Sequence, residues 1–177
     1  MSEEPFRLPD LLLFEDHGNR WHDYEEALWG QFRRDFLLYH PQLDGLPIWF
    51  NRTLAQNGKE QGFWHLTDSG SDIEADRVPD MRRCERLAWV RYVLDHADSA
   101  HVLSSEEGTS KGIKRRLTLD DFSYLIVLKR ARAHYFLVTA YHIEYEHERR
   151  KLRRRFPAGE RKWPRRSGAT TPSTLGR

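Results

Sequence analysis

Between Arg20 and Tyr39 the apolar residues Tyr24, Leu28, Phe32 and Phe36 recur every four positions, with Glu, Gln and Arg between them. That period predicts an amphipathic helix of about five turns, stopped by Pro41 and opened by Asn19 as N-cap. Residues 1–19 read as an arm with one short strand at Leu11–Phe14, and Pro47–Phe50 as a short strand or turn. Gly62–Leu66 (GFWHL) reads as an aromatic-rich strand, and Thr67–Pro79 as a polar loop. A second helix is expected from Met81 to about Ala97, with Cys84, Leu87, Ala88 and Leu94 as its core stripe.

Beyond this helix, 98–112 reads as loop and Ile113–Leu119 alternates as a strand. Phe122–Lys129 and Tyr135–Ile143 are near-continuous runs of aromatic and β-branched residues, the pattern of central strands covered on both faces. Five residues separate them, so they form an antiparallel hairpin. Glu144–Phe156 reads as a charged helix closed by Pro157, and 157–177 as a disordered basic tail. The expected fold class is α+β: N-terminal helices packed on a curved antiparallel sheet of three to five strands, followed by a C-terminal basic helix. Arm 1–19, domain 20–156 and tail 157–177 are the expected divisions.

Composition narrows the function. Charged residues make up 32% of the 177, yet 6 Trp, 7 Tyr and 9 Phe are too many for a disordered chain. No apolar run nears the ~20 residues of a membrane span, so no membrane partner is expected. The opening Met-Ser-Glu-Glu lacks a basic region followed by an apolar one, which predicts no cleaved secretory signal. One cysteine, Cys84, excludes an internal disulfide and any thiolate-built zinc site, and a reducing, cytoplasmic setting is the simplest expectation.

Charge is unevenly spread. From Glu148 to Arg177 eleven basic residues face two acidic ones, a local net of +9 in a chain whose formal net is +2, so residues 1–147 carry −7. A basic segment on an acidic body suggests a polyanion, of which nucleic acid is the commonest. Arg82, Arg83 and Arg86 cluster at the start of the second helix, against its macrodipole, which implies some other demand on them.

Simple alternation in the last strand puts Tyr135, Leu137, Thr139 and Tyr141 on one face. Thr139 and Tyr141 then project hydroxyls about 7 Å apart at the backbone. If Lys129 opposes His134, Tyr124 lies across from Thr139 and adds a third. With His65 and the arginines these make a poor set for a metal and a good one for a phosphodiester. Histidine moves protons near neutral pH, arginine grips phosphate oxygens, and hydroxyls orient the phosphate. The histidine spacings His17/His22 and His142/His147 miss the i, i+4 geometry of ligands on one helix, and no HExxH, P-loop or GxGxxG is present. No metal and no cofactor are expected.

The order FWHLT, RRCERLAWV on a helix, a hairpin ending in FLVTAY and a short basic helix resembles the barnase–EndoU–colicin–RelE superfamily of small ribonucleases, particularly its phage- and mobile-element-encoded members. The resemblance covers roughly residues 62–156. It implies His65 as the proton-transfer group, Thr139 and Tyr141 as groups orienting phosphate or ribose, and Arg86, or else Arg83, as the anion stabiliser. Lys114, Arg115, Tyr124, Arg150, Arg153 and Arg154 join Arg83 as substrate-binding candidates. The chain departs from the EndoU-type set of two histidines and a lysine; Lys111 or Lys114 would stand in for the lysine. The implied activity is metal-independent endoribonuclease cleavage of RNA by 2′-OH attack, in a toxin with an inhibitory or immunity protein as partner, or in a phage-encoded factor. The alternatives are a non-catalytic nucleic-acid-binding or adaptor module, and a protein-interaction domain built on the aromatic N-terminal helix.

Overall fold

The computed structural model describes residues 5–69 and 78–156. Helix α1 (Trp21–Phe32) runs into a wider π-helical turn, Arg33–Leu38, and then into strands β1 (Gln42–Leu43) and β2 (Leu46–Trp49). Helix α2 (Gln61–Thr67) ends in β3 (Asp68–Ser69), which pairs with β4 (Val78–Pro79) ahead of helices α3 (Met81–Glu85) and α4 (Leu87–Asp95). Four long strands follow, β5 (Val102–Thr109), β6 (Gly112–Leu119), β7 (Tyr124–Arg130) and β8 (Tyr135–His142), and then helix α5 (Glu146–Arg153). The chain is thus mixed α and β, with helices against a curled six-stranded sheet ordered β1-β2-β8-β7-β6-β5. Among the described residues no helix is long and apolar enough to cross a membrane.

The sheet exceeds the expected three to five strands, and it is not wholly antiparallel, because β2 joins β8 in parallel through Ile48↔Tyr135 and Trp49↔Phe136. The strand missed within 98–112 is β5. Its outer half, Glu106–Thr109, is exposed and carries no apolar alternation. Its pairing is written instead in cross-strand charge: Glu106 faces Arg115, Glu107 faces Lys114, and Arg115 Nη1 lies 3.0 Å from Glu106 Oε1.

GFWHLT is a helix rather than a strand. A short apolar run looks the same in either state, and here Phe63, Trp64, Leu66 and Thr67 are all buried. Gly62 lets α2 approach the preceding chain: its N–H donates to the Asn51 carbonyl at 2.8 Å, and a Cβ there would lie 2.5 Å from the Phe50 ring. Asn19 is not the cap of α1; it sits at φ +54°, and Arg20 occupies the N-cap without a side-chain hydrogen bond. The expected second helix is broken at Arg86 (φ −106°, ψ 16°). Asp80 does cap its first half, accepting from the N–H groups of Arg82 and Arg83. Of the arm, Phe14–His17 forms a 3-10 turn in place of a strand. The central part of the expected loop 67–79 and the whole expected tail lie outside the described residues.

The β7–β8 hairpin forms, with a register different from the one expected. Lys129 pairs with Phe136, Val127 with Thr139 and Tyr124 with His142, and a bulge between Val127 and Leu128 leaves Val138 as an extra residue in β8. One inserted residue reverses the alternation. Tyr135 and Leu137 before the bulge, and Ala140 after it, all face the helices and are buried, while Thr139 and Tyr141 turn to the outer face. Tyr124 is therefore no third hydroxyl beside Thr139.

Helices α1, α2 and α4 cover one face of the sheet in a continuous core that includes Leu28, Phe32, Phe63, Leu87, Leu117, Ile126 and Leu128. On the outer face a smaller cluster forms where Leu152 of α5 and Phe156 pack on Leu125, Val127, Ile143 and Phe122. A buried ion pair, Lys59 Nζ to Glu25 Oε1 at 2.7 Å, pins the segment before α2 to α1.

Candidate functional site

The C-terminal end of β8 meets α2 and α3 at Arg83. The Asp80 cap fixes the first turn of α3 and lies 3.4 Å from Arg83 Nε. Arg83 Nη1 donates to the His65 carbonyl at 3.2 Å and to Thr139 Oγ1 at 3.3 Å, and the guanidinium lies 5.5 Å from the centre of the Tyr141 ring. Arg83, rather than Arg86, is thus the arginine joined to Thr139 and Tyr141. His65, half-buried, reaches the junction through its backbone.

Arg86 belongs to a second group on the helix-covered side. Its Nη1 donates to the Arg82 carbonyl at 3.2 Å and to Glu85 Oε2 at 3.1 Å, and its guanidinium lies 5.2 Å from the Trp89 ring centre. The Tyr124 hydroxyl donates to the Arg86 carbonyl at 3.4 Å, and burial pushes that hydroxyl's pKa up. His142, the register partner of Tyr124, has its pKa lowered by burial first and then by the charges of Arg86, Arg149 and Arg82, with Glu144 opposing them. Its Nδ1 is buried without a hydrogen-bond partner among the described residues. The arginines at the start of the second helix therefore answer to separate partners: Arg82 to Glu144, Arg83 to Asp80 and β8, and Arg86 to Glu85 and Trp89.

A cluster of accessible cations lies on the outer face. Between the sheet and α5 a groove of about 350 Å³ has Leu125, Val127, Ile143 and Leu152 as its floor and Tyr141 in its wall. Lys114, Arg116, Lys151 and Arg155 ring it, against one acidic residue, Glu148. Arg116 pairs with Glu107, whose carboxyl it holds below the usual range with help from Arg155 and Lys114, so Glu107 and Glu148 offset part of the groove's charge and leave it net positive.

Among the candidates from sequence, Lys114 lines this groove and Arg115 does not. Arg115 is 4% exposed, paired with Glu106 and within 4.0 Å of Asp44, and serves the fold. Arg150 and Arg154 are exposed outside the groove, and Arg153 lies over Phe122 at 5.0 Å. Lys151 of α5 and Arg155, just past its C-terminal end, border the groove instead. The signal was available: Glu148, Lys151, Leu152 and Arg155 sit at i, i+3, i+4 and i+7, and only Leu152 among them is apolar. Arg116 was hidden because the face of its strand could not be fixed without the register. Cys84 is buried and donates to the Thr67 carbonyl at 3.3 Å, with its thiol pushed up to about 12, so it offers no nucleophile.

No family model matches this chain, and no curated protein and no solved structure matches it either.

Proposed function

We propose that the protein binds RNA, holding the phosphate backbone in the cationic groove between α5 and the outer face of the sheet. The observation that carries this is the ring of Lys114, Lys151 and Arg155 around Tyr141 on an apolar floor. Mobile cations supply attraction to phosphate, and the phenol supplies a surface for a base. The basic composition of 148–177 adds to the chain's attraction for a polyanion.

Cleavage is the second reading, favoured by the hydrogen bond from Arg83 to Thr139 beside the Tyr141 ring. In that reading the ribose 2′-OH attacks the adjacent phosphorus and the 5′-oxygen leaves, giving a 2′,3′-cyclic phosphate and a 5′-OH. Arg83, in place of Arg86, stabilises the phosphorane, and His65 moves a proton.

One gel tests both. End-labelled single-stranded RNA is incubated with the protein in EDTA and run in native and denaturing lanes. Binding predicts a shifted band that the double substitution Lys151→Glu/Arg155→Glu abolishes. Cleavage adds fragments that vanish in His65→Ala and in Arg83→Ala. An unshifted, intact RNA at micromolar protein overturns the proposal.

A further inference from the structure

We infer that the open half of the outer sheet face is a base-stacking platform for single-stranded RNA, continuous with the groove under α5 and ending at Trp49. The inference rests on the RNA-binding reading and adds to it the path of the strand and the residues that meet its bases.

The register builds the platform. Trp49 of β2 pairs with Phe136 of β8, Phe136 with Lys129 of β7, and Lys129 with Lys114 of β6. Paired residues share a face, so these four side chains form one row across the sheet. Three strand spacings make the row about 14 Å long, the reach of two or three bases laid on a sheet. One end of the row, Lys114, is also a wall of the groove. The other end is an indole 54% exposed, which is unusual for so large an apolar group. Helix α5 packs over the neighbouring rows, on Leu125 and Val127, and stops short of this one.

Two features favour a nucleic acid as the occupant. The aromatic end is already ordered: Trp49 stacks on His134 with ring centres 3.9 Å apart and planes 16° apart, so little side-chain freedom is lost when a base is added. The row's other half is cationic, with Lys129 exposed and Lys111 close to Lys114 and Lys129 around the adjacent hairpin tip. Two π-faces followed by two ammonium groups match a strand whose bases are unpaired and whose phosphates lie beside them. A protein partner's apolar face would gain from Trp49 and Phe136 and would bury Lys129 without compensation.

The test is fluorescence anisotropy of a labelled twelve-nucleotide oligouridine with the full-length chain. Trp49→Leu is expected to weaken binding about 5- to 100-fold, the range for one lost base–aromatic stack, without changing the salt dependence. Trp49→Phe restores most of the affinity, because a phenyl ring still stacks, and this controls for folding. Duplex RNA of the same length competes poorly, its bases being unavailable. Wild-type affinity in Trp49→Leu, alongside lost binding in Lys151→Glu/Arg155→Glu, overturns the platform and leaves the groove reading standing. Equal competition by duplex also overturns it, as does a Trp49-dependent dimer in sedimentation whose RNA affinity does not respond to Trp49. No binding by the wild-type protein removes both proposals together.

Discussion

The two faces of the sheet bury different things. Under the helices Leu117, Ile126 and Leu128 have no exposed surface and belong to a core of two dozen residues. On the outer face the buried residues are few, Leu125, Val127 and Ile143 among them, and a single two-turn helix covers them through Leu152. The covered face is arranged to stabilise. The outer face is arranged to stay open, since α5 roofs only one end and the groove beside it is bordered by Lys151 and, just past the helix, Arg155. A helix of eight residues is too short to be stable by itself, even though Glu146 and Glu148 in its first turn and Arg150, Lys151 and Arg153 in its last suit its dipole. Its placement over a cationic groove argues that it is kept for what it presents.

Substitutions can break or sharpen this contrast. Ile126→Ala on the covered face is expected to cost about 3–4 kcal/mol, seen as a fall in the urea midpoint. Leu152→Ala should cost about 2 kcal/mol, at the low end because α5 can settle into the space, and RNA affinity should fall with it. Equal costs at the two sites would show that the outer cluster is as essential to the fold as the inner one. Asp80→Ala removes the cap of α3 and is expected to cost about 1 kcal/mol, while loosening Arg83 from Thr139 in a way visible as faster exchange at the end of β8. Lys151→Ala should change stability by less than about 0.5 kcal/mol while weakening RNA binding.

A pH titration probes the covered side separately. His142 has a folded pKa below its unfolded value of about 6.5, so the unfolded chain binds the proton more readily. Stability from this group is full above that value and declines as pH falls from about 6.5 toward the lowered folded pKa. Urea midpoints at pH 7.5 and 5.5 should differ less in His142→Gln than in the wild type. An unchanged difference would mean that burial and the arginines around His142 do not lower its pKa.

What the sequence made legible was the apolar framework. The i, i+4 stripe of α1 and the two dense strands β7 and β8 are patterns that burial on its own dictates. Three of the features that escaped depend on contacts between segments. Strand β5 is specified by Glu–Arg pairing with β6, which no property of residues 102–109 alone displays. The helical state of GFWHLT depends on Gly62 fitting against Phe50, a contact between segments. The bulge at Val138 has no marker residue, yet it sets the register and with it the partners of Thr139 and Tyr124. The candidate site inherited those errors. Thr139 and Tyr141 do share a face, but the arginine beside them is Arg83, because the break at Arg86 turns that side chain toward Glu85 and Trp89.

The salt dependence of RNA affinity tests the central claim most directly. Anisotropy of single-stranded RNA between 50 and 200 mM salt should give a linear log–log plot. Its slope should be about −2, the value for three phosphates met by Lys114, Lys151 and Arg155. Lys151→Ala/Arg155→Ala should make it shallower by about 1.4. A slope that the double substitution leaves untouched, or an affinity indifferent to salt, would contradict the assignment of the groove.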